Sequence, residues 1–443
     1  MSNRYSMNGK FLFIEIYTTG WYSWSIGKMN KKQINRREFF KKLAEYVACA
    51  TFGITGPAMF QRNAVAGQNM DIDALNELLQ AVEASDVDTA SEQFRKILAA
   101  GGDAWQIHLS LFPMVQRILN PPYINPHLPK MYAVCRELVS YLNKDEIAAL
   151  VHIEVVESAS RPKLQQLSKT KLLASPVSFN DVTSAIGSQD WQKTAVLMAT
   201  FRSQKGGLEL ARRLLLLGSG YLDRSLGHSI SCTAFILLEM LKREDQDPWP
   251  ALVILSDYFC KGGFDTPPNL NKQTAFTSEE IFDDHLLQAT SGQGIVNLHH
   301  TITVYALERV RQFFSQEEYQ FMIGAWIAFM QGKKAGQIML ESRKTKPVAD
   351  YDEFYKTFSK LDAQSVMVSA AGMMNSQQSR QQLGYFLTRG LCDRYQGDYN
   401  PHNITGLGSA LWVIDRYWHQ PRVVQNALFQ YLDFFFDDIK SKR

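Results

Sequence analysis

Cysteine is scarce in this chain, at five of 443 residues. None of the five forms a CxxC or CxxCH pair, which argues against a disulfide framework and against covalent c-type haem. One structural disulfide among Cys135, Cys232, Cys260 and Cys392 stays open. The chain has no P-loop, no GxGxxG after a strand, no GxSxG and no HExxH. The common nucleotide, dinucleotide, serine-hydrolase and zinc-protease signatures are therefore missing. Alternating runs of β-branched residues are nearly absent, which disfavours a sheet. Beyond residue 66 no stretch is apolar enough to span a bilayer, which takes about 20 residues. A strong charge of one sign is missing too. Ten of the 47 basic and three of the 44 acidic residues fall in 1–66, leaving 37 and 41 beyond it. That balance gives no basic surface, so no nucleic-acid partner is expected.

The N-terminal region does carry a pattern. Asn35-Arg36-Arg37-Glu38-Phe39-Phe40-Lys41 is a twin-arginine motif, and a modestly apolar stretch follows from Leu43 to Phe60. Ala64-Val65-Ala66 then supplies an A-x-A cleavage site. The three parts of a signal peptide occur in order. Met29, followed by Lys31 and Lys32, is read as the true start, with 1–28 an overextended beginning. Residues 29–66 are then a twin-arginine signal and 67–443 the mature chain. Arg36 and Arg37 address the twin-arginine translocase, and the product is expected in the periplasm or otherwise exported.

Apolar residues recur at three- and four-residue spacing almost throughout, as in Leu75, Leu78, Leu79 and Val82, or Leu210, Leu214, Leu215 and Leu217. Paired breakers divide the stripes, among them Gly101-Gly102, Pro121-Pro122 and Gly206-Gly207. The reading is an all-α protein of roughly fifteen to twenty helices. The pattern also repeats. Four segments open with histidine and run into a helix: His127-Leu-Pro-Lys-Met-Tyr-Ala133, His228-Ser-Ile-Ser-Cys-Thr-Ala234, His300-Thr-Ile-Thr-Val-Tyr-Ala306 and His402-Asn-Ile-Thr-Gly-Leu-Gly408. A small residue stands at +6 each time. The spacings are 101, 72 and 102 residues, so the third unit is expected to lack part of its upstream region. Each opening is expected to lead to a helix, a polar break and a second helix. Four divergent units in one domain follow, with surface connections near 158–177 and 262–278.

Equivalent positions in repeated units can converge, and imidazole binds Fe, Cu, Zn or Ni. His127, His228, His300 and His402 are therefore the candidate catalytic or metal-ligating set. Three readings stand together: structural helix-start residues, a metal or cofactor site, or metal-free acid–base groups. His299 is read as a surface residue in preference to a fifth ligand. Asn-Pro before His127 and His402 is read as N-cap and first helical residue. A helix start lowers the pKa of a nearby histidine, but the same dipole disfavours a bound cation and suits an anionic or quinone-like ligand. Cys232, one turn after His228, is read as a buried free thiol in preference to a ligand, and Asp223 as exposed in preference to a partner of an imidazole. Asp283-Asp284-His285 is read as a helix start, and Tyr132 and Tyr305 as core.

On Asn125-Pro-His127-Leu-Pro-Lys-Met, Leu226-Gly-His228-Ser-Ile-Ser with Ala234, and His300-Thr-Ile-Thr-Val-Tyr-Ala306-Leu, the chain resembles the questin oxidase-like family over about 70–440. The resemblance implies that His127, His228, His300 and His402 line an active centre, and that the chemistry is oxidative. The expectation is an exported α-helical oxidoreductase with a histidine-lined centre. A transition metal, Fe, Cu or Zn, is the leading cofactor and a small aromatic or quinone-like compound the substrate class. The alternative is a non-enzymatic helical repeat protein that binds a partner or delivers a cofactor.

Overall fold

The expected stripes and breakers become eighteen α-helices, with no sheet among the described residues. The computed structural model describes residues 71–243, 246–270, 279–331 and 348–442. The signal region, with Arg36, Arg37 and the cleavage site after Ala66, lies outside them.

The helices fall into four sets in chain order. The first holds α1 (Ile72–Glu83), α2 (Val87–Ala99), α3 (Ala104–Val115), α4 (His127–Leu138) and α5 (Lys144–Ala159). The second holds α6 (Phe179–Gly187), α7 (Trp191–Lys205), α8 (Gly207–Ser219), α9 (His228–Lys242) and α10 (Trp249–Gly262). Among the described residues the third has only α11 (Glu279–Thr290), α12 (Gly294–Val310) and α13 (Gln316–Met330). The fourth holds α14 (Tyr351–Phe358), α15 (Ala363–Ala371), α16 (Gln377–Asp393), α17 (His402–Arg416) and α18 (Pro421–Ser441). The third unit lacks the counterparts of the two leading helices, which accounts for its shorter histidine spacing.

In every unit the histidine helix packs against the helix before it and the helix after it. The four histidine helices also pack on one another in a closed cycle, α4 on α9, α9 on α12, α12 on α17 and α17 on α4. They form an inner ring, and the remaining helices lie outside it. Their burial follows: α9 is buried without a break from His228 to Met240, and α17 from His402 to Leu411. A helix apolar on all sides belongs in a core. The small residue at +6 has its reason here. A Cβ on Gly408 of α17 would lie 2.3 Å from Val134 Cγ1 of α4, so the ring closes only around glycine.

Inner and outer helices begin differently. Many outer ones carry side-chain caps: Asp71 accepts from the N–H groups of Asp73 and Ala74, and Ser178 with Asp181 and Ser315 with Glu318 form capping boxes, whereas α8, α10 and α18 have none. Such caps satisfy orphan N–H groups. The N-cap residues of α4, α9, α12 and α17 supply no side-chain cap bond. The expected Asn-Pro start is displaced by one position. Pro126 and Pro401 occupy the cap position and the histidine is the first helical residue. Asn400 still satisfies an orphan donor, since its Oδ1 accepts from the His402 backbone N–H at 3.1 Å.

Repeat equivalence is visible in hydrogen bonds as well. Ser229 Oγ, one residue after His228, donates to Gly218 O on α8, and Thr301 Oγ, one residue after His300, donates to Ala289 O on α11. A Cβ on Gly218 would lie 2.4 Å from Ser229 O, so this contact also depends on glycine.

Candidate metal centre

Three helix-opening histidines meet at one end of the inner ring, and the fourth corner is His299. His127 Nε2 lies 2.8 Å from His228 Nε2, and His299 Nε2 lies 3.1 Å from the same atom. Ring centroids run 127–228 at 4.6 Å, 228–299 at 4.5 Å, 299–402 at 4.5 Å and 402–127 at 4.8 Å. The imidazoles thus repeat the cycle of their helices. All four are buried. The donor atoms of His127, His228 and His402 lie within 4.8 Å of one another, in a set made of histidines alone.

His299, expected on the surface, is 1 % exposed. Among the described residues His300 faces elsewhere: its ring lies edge-on to Phe329, and its carbonyl accepts from Trp326 Nε1. Neighbours on a helix differ by about 100° in direction, so only one of the pair can face the ring axis. The repeat aligned the backbones through His300, as the Ser229 and Thr301 contacts show. The ring, however, receives the side chain one residue earlier. The early start of α12 makes this possible. Beginning at Gly294, it has a full turn ahead of His299, and Ile295 O in that turn accepts from His299 Nδ1–H at 2.6 Å.

Histidines at the first helical position have no such turn and draw on loops. His228 Nδ1–H donates to Ser225 O at 2.8 Å, and His402 Nδ1–H donates to Asn400 Oδ1 at 2.7 Å. A carbonyl oxygen only accepts, so Nδ1 carries the proton in His228, His299 and His402. In the neutral ring Nε2 then holds a lone pair. Burial, first, and the charge of neighbouring groups hold His127, His228 and His402 well below the ordinary value of 6.5. These rings are neutral at pH 7. His228 Nε2 and His299 Nε2 stand 3.1 Å apart, within hydrogen-bond distance, and charge on His299 helps to hold the other three rings low. His402 Nε2 is buried without a hydrogen-bond partner. Two nitrogens on one metal, at bonds of about 2.0–2.1 Å, stand about 2.9 Å apart at a right angle and about 3.3 Å apart at the tetrahedral angle. The spacing fits that range.

Around the rings stand groups the sequence reading passed over. Lys130, one turn beyond His127, is 0 % exposed, and its Nζ has no hydrogen-bond partner. Burial lowers its pKa, and its charge acts on His127, His228 and His402. The signal was there: Lys130 is the one charged side chain in an otherwise apolar run, Leu128 to Cys135. Asn120 Nδ2 lies 3.2 Å from His127 Nδ1, and its Oδ1 accepts from Arg161 Nη1 at 2.6 Å. Arg161 is paired in turn with Glu157. An isolated bridge between Ile118 and Lys163 brings these two segments together.

The remaining candidates take structural places. Cys232 is buried, and burial pushes its thiol up to about 11, so it stands as a thiol. All four cysteines beyond residue 66 are free, which closes the disulfide question. Asp223 is exposed, and Tyr132 and Tyr305 are core. No helix among the described residues is long and apolar enough to cross a membrane. An all-imidazole set suits Cu, Zn, Fe or Ni better than Mg or Ca. No protein-family model, no curated protein and no solved structure matches this chain.

Proposed function

We propose that this chain is an exported metalloprotein that binds one transition-metal ion in its four-histidine centre and carries out oxidoreductase chemistry there. The carrying observation is the convergence of buried imidazoles: His127, His228 and His402 can each offer a ring nitrogen within 4.8 Å of the others, and His299 Nε2 lies 3.1 Å from His228 Nε2. Separations this short also favour a converging centre over an open superhelix with distant histidines. Export in the folded state rests on Arg36-Arg37 and Ala64-Val65-Ala66, and the oxidative assignment on the resemblance to the questin oxidase-like family.

Asn120, Ile124, Asn125, Asp257 and Tyr258 line a cavity of about 10 Å³, room for about one water. Ligand pockets for ring-sized compounds start near roughly 300 Å³. A quinone-like ring would need the 120–126 segment to move aside. The cavity's size favours a second reading, a carrier that holds a metal for a partner.

Metal analysis by mass spectrometry on protein recovered from the periplasm tests the proposal, with the His228→Ala, His299→Ala double variant as control. Near-stoichiometric metal that disappears in the folded double variant supports it. Equal, trace metal in both overturns it. Turnover of phenols or quinones by the loaded protein favours the enzyme, and metal transfer to an apo acceptor without turnover favours the carrier.

A further inference from the structure

We infer that Tyr305 is a redox-active tyrosine: it carries single electrons from the four-histidine centre, by way of Trp412, to a one-electron acceptor at the surface, and lends its phenolic proton to Glu137 while it does so. The inference rests on the oxidoreductase reading above and adds the route by which electrons leave.

Tyr305 stands on α12, six residues beyond His299, which is roughly 9 Å along the helix axis at about 1.5 Å per residue. It is 0 % exposed and reaches each of the other three inner helices. Its ring packs on Phe235 of α9, 5.3 Å between centroids, and on Trp412 of α17 at 5.8 Å. Its hydroxyl donates to Glu137 Oε2 of α4 at 2.6 Å. Indole and phenol are the ring side chains that give up one electron most readily. Trp412 is only half-buried, so the pair joins the interior of the ring to solvent.

A phenol that loses an electron becomes a strong acid, so the loss is feasible only where a base takes the proton in the same event. Glu137 is that base. Burial, first, and the Glu137 charge push the Tyr305 phenol well above its ordinary range, so the proton stays on oxygen until the electron goes. Arg309 bonds both the carboxylate and the phenol and holds the pair in place. Tyr132, at the same position in the first unit, has the arginine but not the base. Arg243 Nη2 donates to its oxygen at 2.6 Å, and among the described residues no carboxylate is hydrogen-bonded to it. Electrons and protons balance. Trp412 gives one electron to the acceptor and becomes an indole radical cation. Tyr305 refills it and passes its O–H proton to Glu137, leaving a neutral phenoxyl radical. One electron from the centre and the returning proton restore the phenol. The acceptor is reduced by one electron, the centre is oxidised by one, and no bond to carbon changes.

The test is flash photolysis of the full chain with a soluble ruthenium photo-oxidant, read by transient absorption and, on frozen samples, by electron paramagnetic resonance. The metal-free parent protein is expected to give a phenoxyl signal that Tyr305→Phe removes and Tyr132→Phe leaves in place. Signals from exposed tyrosines are common to all variants and cancel in the difference. Glu137→Gln should form the Tyr305 radical about 10-fold more slowly, the loss of one charge-assisted hydrogen bond, and Trp412→Phe should slow it as well. With Fe²⁺ bound under argon, the radical is expected to decay faster than in the metal-free protein, in step with the appearance of ferric ion. Equal signals in the parent protein and in a Tyr305→Phe protein of unchanged circular dichroism overturn the inference and leave the metal-binding proposal standing. If Tyr305→Phe does not fold, an unchanged rate in Glu137→Gln overturns it instead. A Tyr305 radical whose lifetime is the same with and without bound Fe²⁺ also overturns the relay alone. Failure of the parent protein to take up Fe²⁺ overturns the metal-binding proposal, and the relay with it, even where the radical forms.

Discussion

Two faces of α4 look onto buried histidines, and the two environments differ in one respect. On one side His108 is 0 % exposed, stacked between the rings of Trp105 at 4.4 Å and Tyr132 at 4.1 Å. Its Nδ1 meets Glu154 Oε2 at 2.7 Å. On the other side, His127 joins three more imidazoles beside Lys130, and no carboxylate enters the group. Burial is therefore shared by a structural histidine and by the centre. What separates them is the counter-charge. His108 has its acid within the fold, while no carboxylate stands in the metal-competent set of His127, His228 and His402. An incomplete charge balance marks the site better than depth does.

The comparison breaks if the two regions respond alike to mutation. The largest expected difference is in metal content: His299→Ala abolishes it, whereas His108→Ala and His300→Ala leave it near stoichiometric. Elemental analysis of the purified variants reads this, and equal loss in His300→Ala would reject the assignment of His299. Stability should show the reverse. His108→Ala strands Glu154 in the core and is expected to cost about 3–5 kcal/mol in denaturant unfolding. His108→Ala combined with Glu154→Ala should recover part of that loss, and a purely additive double variant would show that the pair is not coupled.

Acid should single out the metal-free centre. His127, His228 and His402 are held well below 6.5 in the fold, but regain that value on unfolding. Above pH 6.5 both states are neutral and these groups add no pH dependence. Below it the unfolded chain binds protons that the folded one refuses, so stability falls. Each such histidine contributes about 1.4 kcal/mol per pH unit until its folded pKa is reached. Chemical denaturation of the apo protein between pH 7 and 5 measures the slope, and a flat profile would refute it. The smallest expected effect has the opposite sign. Lys130→Met removes a buried, unpartnered amine and keeps its stem, so the apo protein should gain about 1–2 kcal/mol and unfold at a higher temperature. A loss would mean that Lys130 has a partner that the fold itself provides.

The fold was legible because its signals are local or repeated. The stripe Leu210, Leu214, Leu215 and Leu217 is buried as read, and so is the unit boundary logic that shortened the third repeat. Three of the four site histidines were legible because they open their helices in register. The fourth was not, because register aligns backbones. Which of His299 and His300 faces the axis depends on where α12 begins, and Gly294 carries no histidine to mark it. Asn120 and Arg161 were invisible for another reason. They meet only through tertiary pairing of the segments at 118 and 163. Lys130 was overlooked because lysine is almost never fully buried, although the apolar run around it was plain to see.

The closed inner ring has a consequence for timing. Its last contact joins α17 to α4, and the four-histidine group spans from His127 in the first unit to His402 in the fourth. No partial chain holds the set together, since the centre comes into being only when the two ends of the polypeptide meet. On the proposed function, metal uptake would be a late event that reports completed folding. In a protein exported folded, the fraction of molecules carrying metal would count those whose ring had closed before they crossed the membrane.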